Sequence, residues 1–243
     1  MFNKTPIISQ LGERSILLQW DFGIDTEKVF WLLDLKEVLS KLLFKQQVEI
    51  INTYNSLLVK CVFDIDNVYN IKSSLLSFDF ENFPSKDVVR NIYKVPVCYD
   101  DHFALDLELI SEEKQLQKQE IISLHSDPVY TICFMGFLPG FAYLSGMKNE
   151  LSFSRKRSPR KSVLKGAVGI AGNQTGMYPN ASPGGWQIIG NCPLNFFDAK
   201  RENPSLFKAG DQLKFHPISR EEHEEIKSLS DSGVYQLETL QNG

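Results

Sequence analysis

Hydrophobic positions follow two different periods in the N-terminal part of the chain. Residues 6–9 and 15–20 are short β-type runs separated by Gly12-Glu13, which predicts a hairpin. Asp25 and Thr26 suit the start of a helix running to about Phe44, with Leu32, Leu35, Leu39 and Leu42 in one apolar stripe. Residues 47–53 and 57–63 return to the β period, with Tyr54-Asn55-Ser56 at the turn. Asp64 or Asp66 then caps a second helix to about Phe78, in which Val68, Ile71 and Leu75 face one way. Residues 88–97 alternate and read as a further strand. The order β-β-α-β-β-α-β fits two helices on one face of a small antiparallel sheet. The expected fold class is α+β, with residues 1–87 forming a ferredoxin-like α/β domain. The leucine stripe is open to two uses, core or a partner's groove, and core is the default for such a stripe. Glu81-Asn-Phe-Pro-Ser-Lys-Asp87, polar with one Pro, reads as a linker.

Residues 88–243 are patterned differently. Two short helical patterns, Leu105–Ile110 and Glu120–Leu124, place His125 at or just past a helix C-terminus, where the dipole favours imidazolium. Its alternatives are a functional group and a plain helix cap. Strands are expected at 129–135, Lys165–Gly172, Gln187–Gly190, Phe196–Asp198 and Gln212–His216, with a helix at Arg220–Ser228. Short strands at regular spacing with turn chemistry between them predict a closed or half-closed barrel.

Bulk properties exclude several classes. The chain has 243 residues, 42% hydrophobic and 23% charged, which supports a real core and argues against disorder. A net charge of -4 argues against a general nucleic-acid binder. The N-terminus has no basic region followed by an apolar run, and no stretch reaches membrane-spanning length, so a cytoplasmic protein is expected. Cys61, Cys98, Cys133 and Cys192 form no CxxC pair, and Cys61 and Cys133 sit in apolar runs as buried thiols. Four scattered histidines argue against a metal centre. No G-x-x-x-x-G-K-[ST] or G-x-S-x-G occurs, so neither a P-loop nor a serine-hydrolase elbow is present in this sequence. The glycines at 166, 169, 172 and 176 do not open a helix and are no dinucleotide loop.

The chemistry concentrates in 125–198, where Gly, Pro, aromatic and Arg residues crowd together. Gly136-Phe-Leu-Pro-Gly-Phe141 is a tight loop with three large apolar side chains. The basic run Arg155–Lys165 is either a solvated turn or an anion pocket. Gly184-Gly185-Trp186 is either a packed turn or part of a wall around a ligand.

Four segments carry a family likeness: Gly136-Phe-Leu-Pro-Gly-Phe-Ala-Tyr-Leu, Pro159-Arg160, Gly169-Ile-Ala-Gly-Asn-Gln-Thr-Gly-Met-Tyr-Pro and Ser182-Pro-Gly-Gly-Trp-Gln-Ile-Ile-Gly. Together they resemble the signature of the allophanate hydrolase subunit 1 family, over nearly the whole chain. Members include the B-type component of bacterial 5-oxoprolinase, also described as an inhibitor of a sporulation sensor kinase. Asp100-Asp101-His102 stands where the family tends to be Gly-rich, and Ser154 and Leu164 stand where it tends to have Pro.

The resemblance implies a cyclophilin-like barrel over residues 88–243. It implies an enzyme subunit for ATP-dependent opening of 5-oxoproline to glutamate, active only with the other oxoprolinase subunits of A and C type, with ATP as co-substrate of the complex. Within it, Arg155 and Arg160 suit a clamp for carboxylate or phosphate. Gln174 suits the amide, Tyr178 and His125 suit proton transfer, and Phe141 and Trp186 suit an apolar wall that excludes water. The rivals are a non-catalytic protein that binds a sensor histidine kinase, and a hydrolase subunit of the urea or allophanate pathway. The chain has no Ala-Met-Lys-Met sequence for biotin.

Overall fold

The computed structural model describes residues 2–61, 66–83, 90 and 92–240. The chain divides into two compact units, Met1–Val89 and Arg90–Gly243.

The first unit is a four-stranded antiparallel sheet with two helices. Its elements are β1 (Ile7–Leu11), β2 (Ser15–Gln19), α1 (Thr26–Leu42), β3 (Val48–Asn52), β4 (Ser56–Cys61) and α2 (Asp66–Leu76). Sheet order is β1-β2-β4-β3. The hairpin forms as expected, with Gly12 at φ +66 in its turn, a conformation glycine adopts without steric cost. Asp25 caps α1 by accepting from Lys28 N at 3.1 Å. Leu32, Leu35 and Leu39 are fully buried, but Leu42 is 49% exposed and Leu43 is buried instead. Leu42 is the last residue of α1, and Leu43 is its C-cap, where the chain leaves the helical conformation. Val68, Ile71 and Leu75 of α2 join the same core beside Trp20, Val59 and Phe80. A ferredoxin-like order is β-α-β-β-α-β. Here the edge beside β2 is the N-terminal β1, and of the strand expected at 88–97 the described part, from Ile92, pairs in the other unit's sheet. Asp64, the side chain of Asp66 and most of the expected linker lie outside the described residues.

The second unit holds a barrel. It comprises β5 (Ile92–Cys98), α3 (Leu107–Lys114), α4 (Lys118–Ser126), β6 (Tyr130–Met135), β7 (Ala142–Ser145), β8 (Arg160–Val163), β9 (Ala167–Ala171), β10 (Gln174–Met177), β11 (Ser182–Gly184), β12 (Gln187–Asn191), β13 (Gln212–Ile218), α5 (Arg220–Asp231) and β14 (Thr239–Leu240). Seven strands close in the order β12-β9-β10-β7-β6-β13-β5, with Asn191 of β12 meeting Cys98 of β5. The β5–β13 pair is parallel over seven residues, and β14 adds antiparallel at Ile92–Tyr93. A separate ribbon pairs β8 with β11. Barrel interior and helix contacts form one core that includes Val95, Val97, Ile110, Ile132, Leu144, Val168, Ile170 and Phe215.

Phe196–Asp198 is no strand. Its backbone makes only an isolated bridge, Phe197 to Ser205, while Phe196 fills the core at 1% exposure. The apolar pattern there reports packing rather than a ladder. Asp100-Asp101-His102 replaces the expected glycines with a side-chain-supported turn, His102 N donating to Asp100 Oδ1 at 2.9 Å.

Gly166 shows how tightly the barrel is drawn together. Its φ is +81, and a Cβ there would lie 2.1 Å from the Cys192 carbonyl oxygen. Gly166→Ala is therefore expected to destabilise the protein by more than about 1 kcal/mol, measured as a lower urea midpoint at unchanged slope. An unchanged midpoint would contradict this packing.

Candidate functional site

The expected site residues separate into an outer-face cluster and the barrel interior. Strands β7, β9, β10 and β12 alternate between the two sides of the sheet. Val168, Ile170, Leu144 and Met177 point into the barrel core. On the other side Phe141, Ala167, Ala171, Tyr178, Trp186 and Ile188 form a second cluster, with Tyr143 and Leu138 against it. Gly169 and Gly176 make that face flat. A Cβ on Gly169 would meet Trp186 Cβ at 3.1 Å, and one on Gly176 would meet Phe141 Cζ and Trp186 Cζ3 at 3.1 Å each.

The aromatic rings lock edge to face. Phe141 meets Trp186 at 5.5 Å and Tyr178 at 5.2 Å between centroids, both near perpendicular. This is the favoured arrangement of ring quadrupoles. Phe141, Tyr178 and Trp186 are thus brought together as expected, but all three are nearly sealed by packing. Phe137 stands exposed at the rim with φ +67.

Above this face runs the basic loop. The Arg155 guanidinium carbon lies 5.7 Å from the Trp186 ring centre, a cation–π arrangement. Arg155 is exposed and, among the described residues, has no carboxylate partner. Burial raises the Tyr178 hydroxyl above its usual value, offset by the Trp186 backbone and by Arg155 and Arg160. Tyr178 therefore stays a neutral phenol at neutral pH. The Gln174 side chain leaves β10 on the outer side, and its Nε2 is buried without a hydrogen-bond partner.

Arg160 does not share a clamp with Arg155. Its Nη2 bonds Asp106 Oδ1 at 2.6 Å, so its charge is already matched. Lys156 Nζ reaches the same oxygen at 3.2 Å, and Ile188 N donates to Oδ2 at 2.6 Å. Asp106 is 3% exposed. Burial acts to raise its carboxyl, yet the bonds from Arg160, Ile188 and Lys156 outweigh it and hold the group below its usual value. The helical pattern at 105–110 hid this residue, because an acid at a helix start is unremarkable. The available signal was an acid between two leucines.

His125 lies elsewhere, in the barrel core at 0% exposure. Thr175 Oγ1 donates to Gly169 O at 2.9 Å, so at His125 Nε2, 2.9 Å away, the ring must be the donor. Nδ1 then accepts from Tyr99 Oη at 2.7 Å, and the ring stacks on Phe215 at 4.5 Å. Burial lowers its pKa to about 3. The expected imidazolium is overturned because desolvation outweighs the helix dipole. The ring bonds side chains rather than capping carbonyls, and it has no open face for a substrate. All four cysteines are buried free thiols, Cys192 pushed up to about 12 by burial.

A cavity of about 570 Å³ is lined by none of these groups but by Phe197, Asp198, Arg201, Ser230 and Tyr235 among others. Among the described residues no helix is long and apolar enough to cross a membrane.

Residues 6–207 match the family described as carboxyltransferase domain, subdomain C and D. The chain is 34% identical over 235 residues to the B-type component of 5-oxoprolinase from Bacillus subtilis (strain 168), covering 92% of this chain and 97% of that protein. The crystal structure of TTHA0988 superposes with a TM-score of 0.71 at 27% identity, over 85% of this chain but 40% of the other. That of the K. lactis urea amidolyase gives a TM-score of 0.77 at 19% identity, over 100% of this chain and 17% of the other, and so shares the fold. The chain belongs to the carboxyltransferase subdomain C and D family. Within it, the chain is of the type shared by the B-type component of 5-oxoprolinase and allophanate hydrolase subunit 1. None of these relatives supports the kinase-binding alternative.

The buried histidine carries a pH signature. The unfolded chain protonates His125 as pH falls below about 6.5, whereas the folded ring takes no proton until about 3. Its stabilising contribution is complete above about 6.5 and is lost on acidification at about 1.4 kcal/mol per pH unit. Urea unfolding between pH 6.5 and 4 is expected to show this slope, and His125→Gln to flatten it. An identical slope in the variant would place the ring in solvent.

Proposed function

We propose that this chain is one component of a 5-oxoprolinase that hydrolyses 5-oxo-L-proline to L-glutamate with ATP. The near full-length similarity to the B-type 5-oxoprolinase component of Bacillus subtilis carries this reading. The barrel is then of the cyclophilin-like kind implied by the resemblance, and A- and C-type subunits are the partners. The sequence has no P-loop, which fits an ATP site completed by a partner.

The reaction asks for specific groups. A lactam is a poor electrophile, and phosphorylating its carbonyl oxygen makes it a better one. The substrate carboxylate then needs a cation, for which Arg155 is available and Arg160 is not. The phosphorylated lactam must be shielded from bulk water until one water adds to its carbonyl carbon and the C–N bond breaks, and Trp186 and Phe141 suit that apolar wall. Gln174 keeps a buried amide N–H without a partner beneath this face, and Tyr178, buried and held neutral, is not the base. The general base is assigned to a partner, since His125 is enclosed.

Mixing this chain with its A- and C-type partners is expected to give ATP-dependent glutamate from 5-oxoproline, and omitting it to abolish the product. Arg155→Ala in that mixture is expected to lower kcat/KM by about a hundredfold, the scale for losing one charge-assisted contact. A competent mixture that does not need this chain would sink the proposal.

A further inference from the structure

The loop that carries Arg155 is fastened to one segment, Gly185–Ile188, twice directly and again through Asp106. Before Arg155, the Ser154 carbonyl accepts from Gln187 Nε2 at 3.0 Å. After it, Lys156 N donates to the Gly185 carbonyl at 2.8 Å. Farther along, Lys156 Nζ and Arg160 both reach the Asp106 carboxylate. Asp106 is itself bound to the same segment in two directions. Its N–H donates to the Ile188 carbonyl at 2.8 Å, and its Oδ2 accepts from Ile188 N at 2.6 Å.

This arrangement sorts the cations. Arg160 and Lys156 are drawn inward to a 3%-exposed carboxylate, while Arg155, between the anchors, is left over the Trp186 ring. A flexible arginine loses rotamer freedom when it binds an anion. A loop already held in place makes part of that loss before the ligand arrives. The geometry points to Asp106 as a positioning residue that acts through the basic loop to set Arg155 over Trp186 for a carboxylate. This rests on the proposed role of Arg155 toward the 5-oxoproline carboxylate. Asp106 touches no reacting atom.

The test is a double-mutant cycle in the reconstituted complex. Asp106→Asn is expected to raise KM for 5-oxoproline about tenfold with a smaller change in kcat, as for a group that orients a binding contact. In the Arg155→Ala background the same substitution is expected to change nothing further. An equal loss in both backgrounds would mean that Asp106 only supports the fold, and would overturn the proposal. Breaking a buried ion pair is costly, so Lys156→Met provides a second variant at a side chain that is 27% exposed. It is expected to give a smaller effect of the same kind, again absent without Arg155, and an effect that persists without Arg155 would overturn the proposal. If the wild-type complex makes no glutamate, the functional reading fails. The positioning is then judged on the free chain by relaxation of the Arg155 Nε–H. Greater mobility in Asp106→Asn supports it, and unchanged mobility overturns it.

Discussion

Strand β9 is buried on both of its faces, and the architecture of the second unit follows from that constraint. Val168 and Ile170 fill the barrel, while Ala167, Gly169 and Ala171 lie under the aromatic cluster. The two sides of β9 are filled differently. The barrel side takes the branched residues, and the outer side is reduced to glycine and alanine so that Trp186 and Phe141 can lie flat on it. Gly176 on β10 repeats the pattern, with Thr175 and Met177 inward. The barrel is thus a support, and the surface built on it is where the arginine loop rests.

Charge is handled in the same layered way. Asp106, the acid that Lys156 and Arg160 of the loop bond, is satisfied by two cations and a backbone N–H, so it remains ionised although buried. That satisfaction leaves Arg155 as the cation set against the aromatic face. His125 is the opposite case. It is held neutral by the barrel core, with Tyr99 and Thr175 meeting both ring nitrogens, and serves packing.

The residues reveal the α+β class and the two helices of the first unit through periodicity, and the barrel character of the second through strand spacing and turn chemistry. The short strands give no such signal: Gly and Pro interrupt β10 and β11, and β7 (Ala-Tyr-Leu-Ser) and β8 (Arg-Lys-Ser-Val) are four-residue runs too short to show a period. The pairing of Ile92–Cys98 with β13 depends on a partner more than a hundred residues away, which local pattern does not encode. Among site residues, Phe141, Tyr178 and Trp186 are found together because their motifs surround shared glycines. Arg160 and His125 fall out because their partners, Asp106 and the pair Tyr99–Thr175, are remote in sequence.

The central claim is that the outer face beneath Arg155 is where the assembled complex handles its substrate. Hydrogen exchange on this chain within the complex, with and without 5-oxoproline and a non-hydrolysable ATP analogue, addresses it most directly. Added protection is expected in the loop 153–160 and in 184–188. Protection confined to the 230–237 segment beside the 570 Å³ cavity would contradict the account.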